Sequence, residues 1–258
     1  MRKLAVSLAL TIAACGGSSA DPPMIALPPP GDLSPGGLWE GTHTNGDYIL
    51  GLIGEDGEFH FVDDFGQGYG VMSVDGDQVA ADYTHAAYLG ETFEDGSVIA
   101  ACTLSGTLVE RDVLTFTSEC ITGFGTESEV TLSLAFNDNY FRDGSLDTLA
   151  GQFDDLGNVL TIDSNGVLFE QDPASGCVMN GQVSVIDPDF NAYAMEFIFE
   201  SCEGEVEFLN GSTWSGIGAL DHTNLVGPEK LVFGATTEID FPGEGTEAFA
   251  IEGVAPRL

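Results

Sequence analysis

From residue 39 onward, short stretches of the chain alternate apolar and polar residues with a period of two. That is the pattern of strands with one buried face. Leu132, Leu134 and Phe136 share one side of such a stretch, while Thr131, Ser133 and Ala135 take the other. The first series of runs covers 39–44, 48–53, 58–63, 69–74, 78–86, 97–110, 113–118 and 129–137. Between them stand Asn45-Gly46, Asp56-Gly57, Asp75-Gly76 and Asp95-Gly96, dipeptides that supply the positive φ angles of tight hairpins. No window shows a competing helical period. Consecutive antiparallel strands of this kind predict a closed meander or a small sandwich. A polar, turn-rich joint at 138–146 is the expected boundary. A second series then covers 148–153, 159–163, 167–171, 177–186, 192–201, 212–221, 230–235 and 248–253. The expected fold is therefore all-β, with two consecutive antiparallel meander domains at 38–138 and 146–258, each a small barrel or sandwich of about eight strands.

The later cysteines sit where hairpins bring them together. Around the turn Asp187-Pro188-Asp189-Phe190-Asn191, pairing Asp187 with Ala192 puts Cys177 directly opposite Cys202. Cys102 and Cys120 flank a turn centred on Arg111 in the same way. Directly opposed side chains lie within bridging distance, so disulfides Cys102–Cys120 and Cys177–Cys202 are expected. Each would stabilise a domain of modest core by roughly 3 kcal/mol in the chain-entropy view. Residues 53–59 resemble 162–168, and 102–108 resemble 177–183, which suggests duplication of one β unit. Gly106 and Gly181, each four residues past a cysteine, predict a bulge or bend in those strands.

The amino terminus carries Arg2 and Lys3, then an apolar run over 4–14. The run is too short to span a bilayer and reads as an export signal. It ends Ile12-Ala13-Ala14-Cys15, followed by Gly16-Gly17-Ser18-Ser19. This resembles the lipobox of bacterial envelope lipoproteins, some of which carry tandem small β domains. The resemblance implies removal of signal peptide 1–14 and acylation of Cys15 (palmitate among the chains). With Gly16 rather than Asp after the cysteine, it also implies the outer membrane. An ordinary secretory signal containing a cysteine is the alternative. Several acyl chains on one residue anchor a protein stably without a spanning helix. Segment 15–37 holds Pro22, Pro23, Pro28, Pro29, Pro30 and Pro35 and reads as a semi-rigid stalk tethering the β domains.

Composition narrows the partners. Six Lys and Arg stand against 42 Asp and Glu, a formal net charge of −36. No basic stripe exists, so nucleic acid is excluded as a partner. Anionic headgroups would repel the chain, which leaves the acyl anchor to hold it at the membrane. Acidity on this scale also promotes solubility.

Candidate chemistry is sparse. His43, His60 and His85 fall on the first, third and fifth predicted strands, with no local His-x-His or His-x-x-x-His spacing. They are candidate metal ligands only if the strands converge across a barrel interior. No metal or other cofactor is expected. Asp63-Asp64, Asp154-Asp155, Asp138/Asn139/Asp143 and Asp163/Asn165 offer oxygen ligands, yet none matches the spaced calcium loop. Asp163-Ser164-Asn165-Gly166 reads as a hairpin turn. Nucleophile elbows and phosphate-cradling loops are missing, so the chain does not read as an enzyme. Gly37-Leu38-Trp39 resembles the Gly-x-Trp signature on the first strand of lipocalins. That resemblance implies Trp39 plugging one end of a barrel with an apolar ligand inside, although core packing alone selects tryptophan there too. Eight-stranded barrels are either filled by side chains or hold one small molecule. The expected function is a non-catalytic binding or envelope-surface module, its partner a protein or a small apolar ligand. A lipocalin-like carrier is the second reading, and a β-rich enzyme with a metal site in the first domain the third.

Overall fold

The computed structural model describes residues 33–43, 46, 48–222, 227–241 and 245–258. The expected signal peptide 1–14, Cys15 and the expected stalk as far as residue 32 lie outside them, as does Asn45 of the first predicted turn.

The chain is all-β and antiparallel, as its alternation predicts. Nine strands form the first sheet: β1 (Gly37–Thr42), β2 (Tyr48–Ile53), β3 (Glu58–Asp63), β4 (Gly66–Val71), β5 (Ser73–Asp75), β6 (Gln78–Ala87), β7 (Ile99–Val109), β8 (Val113–Thr122) and β9 (Glu127–Asn137). Consecutive strands pair except β4 with β5, β1 closes onto β9, and β4 pairs with β6, so the sheet is a closed barrel. The short β5 extends β4 along β6 past the buried Met72, whose N–H donates to the Gly57 carbonyl at 2.8 Å. Gly57, Gly76 and Gly96 carry positive φ in the three Asp-Gly turns, which is why the strands can reverse so tightly.

Asp138–Phe141 forms a 3-10 turn, and a one-turn helix α1 (Leu146–Leu149) follows. The alternation predicts a strand beginning at Thr148. Ser145 instead caps the helix, its Oγ accepting the Thr148 N–H at 3.1 Å, and this local bond wins over extension. The second sheet is a meander of β10 (Gly151–Asp155), β11 (Asn158–Ile162), β12 (Val167–Gln171), β13 (Val178–Val185), β14 (Tyr193–Glu200), β15 (Thr213–Asp221), β16 (Lys230–Phe241) and β17 (Gly245–Pro256). It curls so that its two edges touch in a single bridge, Phe153 to Arg257.

Both cysteine pairs lie at disulfide distance, with S–S 2.01 Å for Cys102–Cys120 and 2.06 Å for Cys177–Cys202. The first pair is in direct register across β7 and β8. The second pair needs a correction. The β13–β14 ladder pairs Val185 with Tyr193 and Val178 with Glu200, one residue off the expected alignment of Asp187 with Ala192. Continued unbroken, it would set Cys177 against Ser201. Ser201 adopts a left-handed φ of 59°, and this extra residue carries Cys202 round to Cys177. Asn210 fixes the kink: Cys202 N–H donates to its Oδ1 at 2.8 Å, and its Nδ2 donates back to the Cys202 carbonyl at 2.9 Å. Gly106 and Gly181 are not bulges either. Both sit in continuous ladders opposite Phe116 and Phe197. A Cβ on Gly106 would lie 2.1 Å from the Thr115 carbonyl oxygen, so close backbone approach is what requires glycine there.

Three apolar clusters organise the molecule. Trp39, Phe59, Phe61, Leu114 and Phe116 fill much of the barrel. Phe153, Tyr193, Phe197 and Trp214 fill the second unit. Leu38, Leu50, Leu52, Tyr140, Ala192, Ile217, Ala219 and Val232 pack the outside of one unit against the other. Arg111 reinforces that contact from the β7–β8 turn. Its guanidinium donates to Glu55 Oε1 at 2.8 Å and to the Gly36 carbonyl, and lies over the rings of Tyr140 and Phe190, 5.2 Å from each centroid. Asn191, 1% exposed, joins the Leu220 backbone on both sides, donating at 2.6 Å and accepting at 3.0 Å.

Candidate functional site

Strand parity decides what faces the barrel interior. Trp39, Gly41 and His43 share a side, as do Phe59, Phe61 and Asp63 on β3, and Val79, Ala81, Tyr83 and His85 on β6. Trp39 lies at the closed end, fully buried, its indole N–H donating to the Pro35 carbonyl at 3.0 Å. Toward the other end the inward positions turn polar, and a cavity of about 230 Å³ opens there. Its lower wall is Ile49, Phe61, Phe116, Val130 and Leu132, and its rim carries His43, Asp63 and His85.

Asp63 is the centre of that rim. Its Oδ1 accepts the Phe65 and Gly66 N–H groups at 2.9 and 2.8 Å, which closes the β3–β4 turn. Its Oδ2 lies 3.5 Å from His43 Nε2 and 4.0 Å from His85 Nε2. Burial pushes the Asp63 carboxyl up, but the His43 hydrogen bond, the His85 charge and the two backbone N–H groups outweigh it. The group stays below its ordinary range and is a carboxylate at neutral pH. Burial pushes the His85 imidazole down, opposed by Asp63 and assisted by His43. His85 is therefore neutral at neutral pH, and its buried Nε2 has no hydrogen-bond partner. Deeper in, Tyr83 Oη and Ser118 Oγ lie 2.5 Å apart, and burial pushes the Tyr83 phenol up.

The connection from β6 to β7 folds over this end. Phe93 meets Phe65 and His85 edge-on, with centroids 5.0 and 5.5 Å away. Asp95 pins the loop to the β8–β9 turn by accepting the Thr122 hydroxyl and the Ser97 N–H. Those two bonds hold its carboxyl well below the usual carboxylate range. The Cys102–Cys120 bridge stands beside the chamber, with Cys120 Sγ 3.8 Å from Tyr83 Oη.

Of the three candidate histidines, the fold brings His43 and His85 together and sends His60 elsewhere. His60 faces outward on β3, 3% exposed, with Nδ1 2.9 Å from Gln67 Nε2 and its Cβ against Gly234 of β16. Among the described residues, no group of three or more His, Cys, Asp and Glu is disposed to hold a metal ion. The acidic loop residues serve turns. Asp154 accepts the Gly157 N–H at 2.8 Å, and Asp163 accepts those of Asn165 and Val167 in the expected hairpin. Asp63 was legible only as half of an acidic pair, yet its parity with Phe59 and Phe61 marks it as an inward carboxylate. The same parity excludes His60.

The arrangement is a small chamber with an apolar floor, one carboxylate and one neutral imidazole at its mouth. Such a site can hold one compact molecule with a polar head. Compared with protein-family models and with curated proteins, the chain matches none.

Proposed function

We propose that the protein is a lipid-anchored lipoprotein of the bacterial outer membrane, a non-catalytic binding module whose first barrel carries one small molecule. The lipobox ending at Cys15 and the proline-rich stretch behind it support the anchoring. The observation that carries the binding function is the chamber of about 230 Å³ inside the barrel, mostly apolar and tipped by Asp63 and His85. A filled barrel would serve a surface module equally well, whereas a chamber with polar groups at one end favours the carrier. Cavities of about 150 Å³ already admit benzene, so this one suits a ring with a short substituent.

The test is native mass spectrometry of the full chain purified from its own cells, beside a Val130→Phe variant that fills the chamber. Wild type is expected to retain a non-covalent small molecule that the variant lacks. The same spectra should show acyl mass on Cys15, absent from Cys15→Ser. Equal adducts on wild type and Val130→Phe would move the ligand out of the barrel, and an unacylated Cys15 would overturn the anchor.

A further inference from the structure

Resting on that carrier reading, we infer that the first barrel takes a small organic cation, a primary amine on a compact apolar or aromatic body, with its ammonium seated between Asp63 and His85. The lining is the first argument. Among the described residues, Asp63 is the only acidic one facing the chamber, and no Lys or Arg lines it. Its side chain is 12% exposed, and the His43 contact and the Phe65 and Gly66 N–H groups hold it ionised, so the chamber mouth keeps a fixed negative charge. A cation is attracted to that charge, a neutral ligand gains nothing from it, and an anionic one is repelled.

Hydrogen-bonding capacity is the second argument. Asp63 Oδ2 and His85 Nε2 lie 4.0 Å apart, the His85 nitrogen is buried without a hydrogen-bond partner, and in the neutral tautomer protonated at Nδ1 both atoms are acceptors. An ammonium carries three N–H donors, so one nitrogen can reach both atoms. An alcohol has a single O–H and must leave one of the two unsatisfied. Below the head group, Phe61 and Phe116 give the body an aromatic floor, their centroids 5.2 Å apart, with Phe93 closing from above. The third argument is long-range: with a formal charge of −36, the molecule concentrates cations near its surface and repels anions.

The probes are the ring-fluorinated forms of 2-phenylethylamine, 2-phenylethanol and phenylacetate, which are close in shape and differ in head group. Their affinities for the full chain are read by fluorine NMR titration at pH 7. The amine is expected to bind at least 10-fold more tightly than the alcohol, with the carboxylate weakest. Asp63→Asn, which keeps an oxygen for the Phe65 and Gly66 N–H groups, should bring the amine down to the alcohol's affinity and leave the alcohol unchanged. Raising the salt concentration on wild type, which needs no variant to fold, should weaken the amine alone. Equal binding of amine and alcohol overturns the cation assignment while the carrier reading stands. So does a retained native ligand without a cationic nitrogen. If no probe binds and no molecule is retained from the cells, the carrier reading itself fails.

Discussion

Glu170 is the residue whose ionisation should govern stability near neutral pH. It lies on β12 with its side chain turned inward beside the fully buried Leu168, itself 8% exposed, and its Oε2 has no hydrogen-bond partner. Burial first, then the neighbouring Asp155 charge, push its pKa from 4.5 up to about 7, partly offset by Asn158. Asp155 is also pushed up by burial. A carboxyl with a raised folded pKa holds its proton while the unfolded chain has already released one. Stability is therefore unaffected below pH 4.5, falls as pH rises between 4.5 and about 7, and stays lowered above that. A tenfold difference in proton affinity between folded and unfolded chain is worth about 1.4 kcal/mol, so the loss reaches at most about 3 kcal/mol. For a chain of this size that is on the order of 6–12 °C in Tm. Glu170→Gln keeps the shape and removes the charge, so it should flatten the curve between pH 5 and 8 and melt higher than wild type at pH 8. The assay is thermal unfolding at constant ionic strength in a Trp39→Phe background, where Trp214, stacked on Phe197 with centroids 6.2 Å apart, reports the second sheet. Parallel pH profiles for the two proteins would refute the reasoning.

Two further outcomes concern the joints of the fold. Replacing Cys177 and Cys202 together by serine should lower stability by about 3 kcal/mol without changing strand content, because the β13–β14 ladder and the Asn210 clamp remain; circular dichroism melts with and without reductant would measure it. Asn191→Ala should cost about 2–4 kcal/mol, since it strands the buried Leu220 N–H and carbonyl; urea unfolding that leaves the midpoint unchanged would show that this contact within the second unit contributes nothing.

Local physics was legible in the sequence, and long-range closure was not. Asp-Gly turns and period-two alternation placed β2 and β3 at their observed bounds, and the turn centred on Arg111 gave Cys102 its partner, since a turn fixes register a few residues away. The second cysteine pair was also legible, but its ladder was misaligned by one residue. Nothing in Ser201 announces a left-handed backbone, which serine seldom adopts. The helix at 146–149 was hidden for a different reason. Its signal is a single capping serine, and one turn is too short to show a 3.6-residue period. At the site, each histidine was visible but their meeting was not. His43 and His85 converge because β4 pairs with β6 and brings the later half of the barrel round to the first, a contact no local pattern encodes.

That closure also explains why the chamber belongs to one unit. In the second sheet the seam between β10 and β17 is plugged from within. Arg257 donates to the Ala150 and Thr148 carbonyls at 2.8 Å each, satisfying the end of α1. It also lies 4.9 Å over the Phe153 ring and pairs with Glu229 at 3.0 Å. Behind it, Phe153, Tyr193, Phe197 and Trp214 occupy the interior. The first sheet closes through backbone pairing and needs no plug, so its contents are set by side-chain size alone. Along β8 the inward positions run Leu114, Phe116, Ser118, Cys120. Large apolar groups end at Phe116, and small polar ones begin two residues later. The chamber starts at that change, and the Cys102–Cys120 bridge beside it ties β7 to β8, so the wall keeps its shape where no core is left to support it.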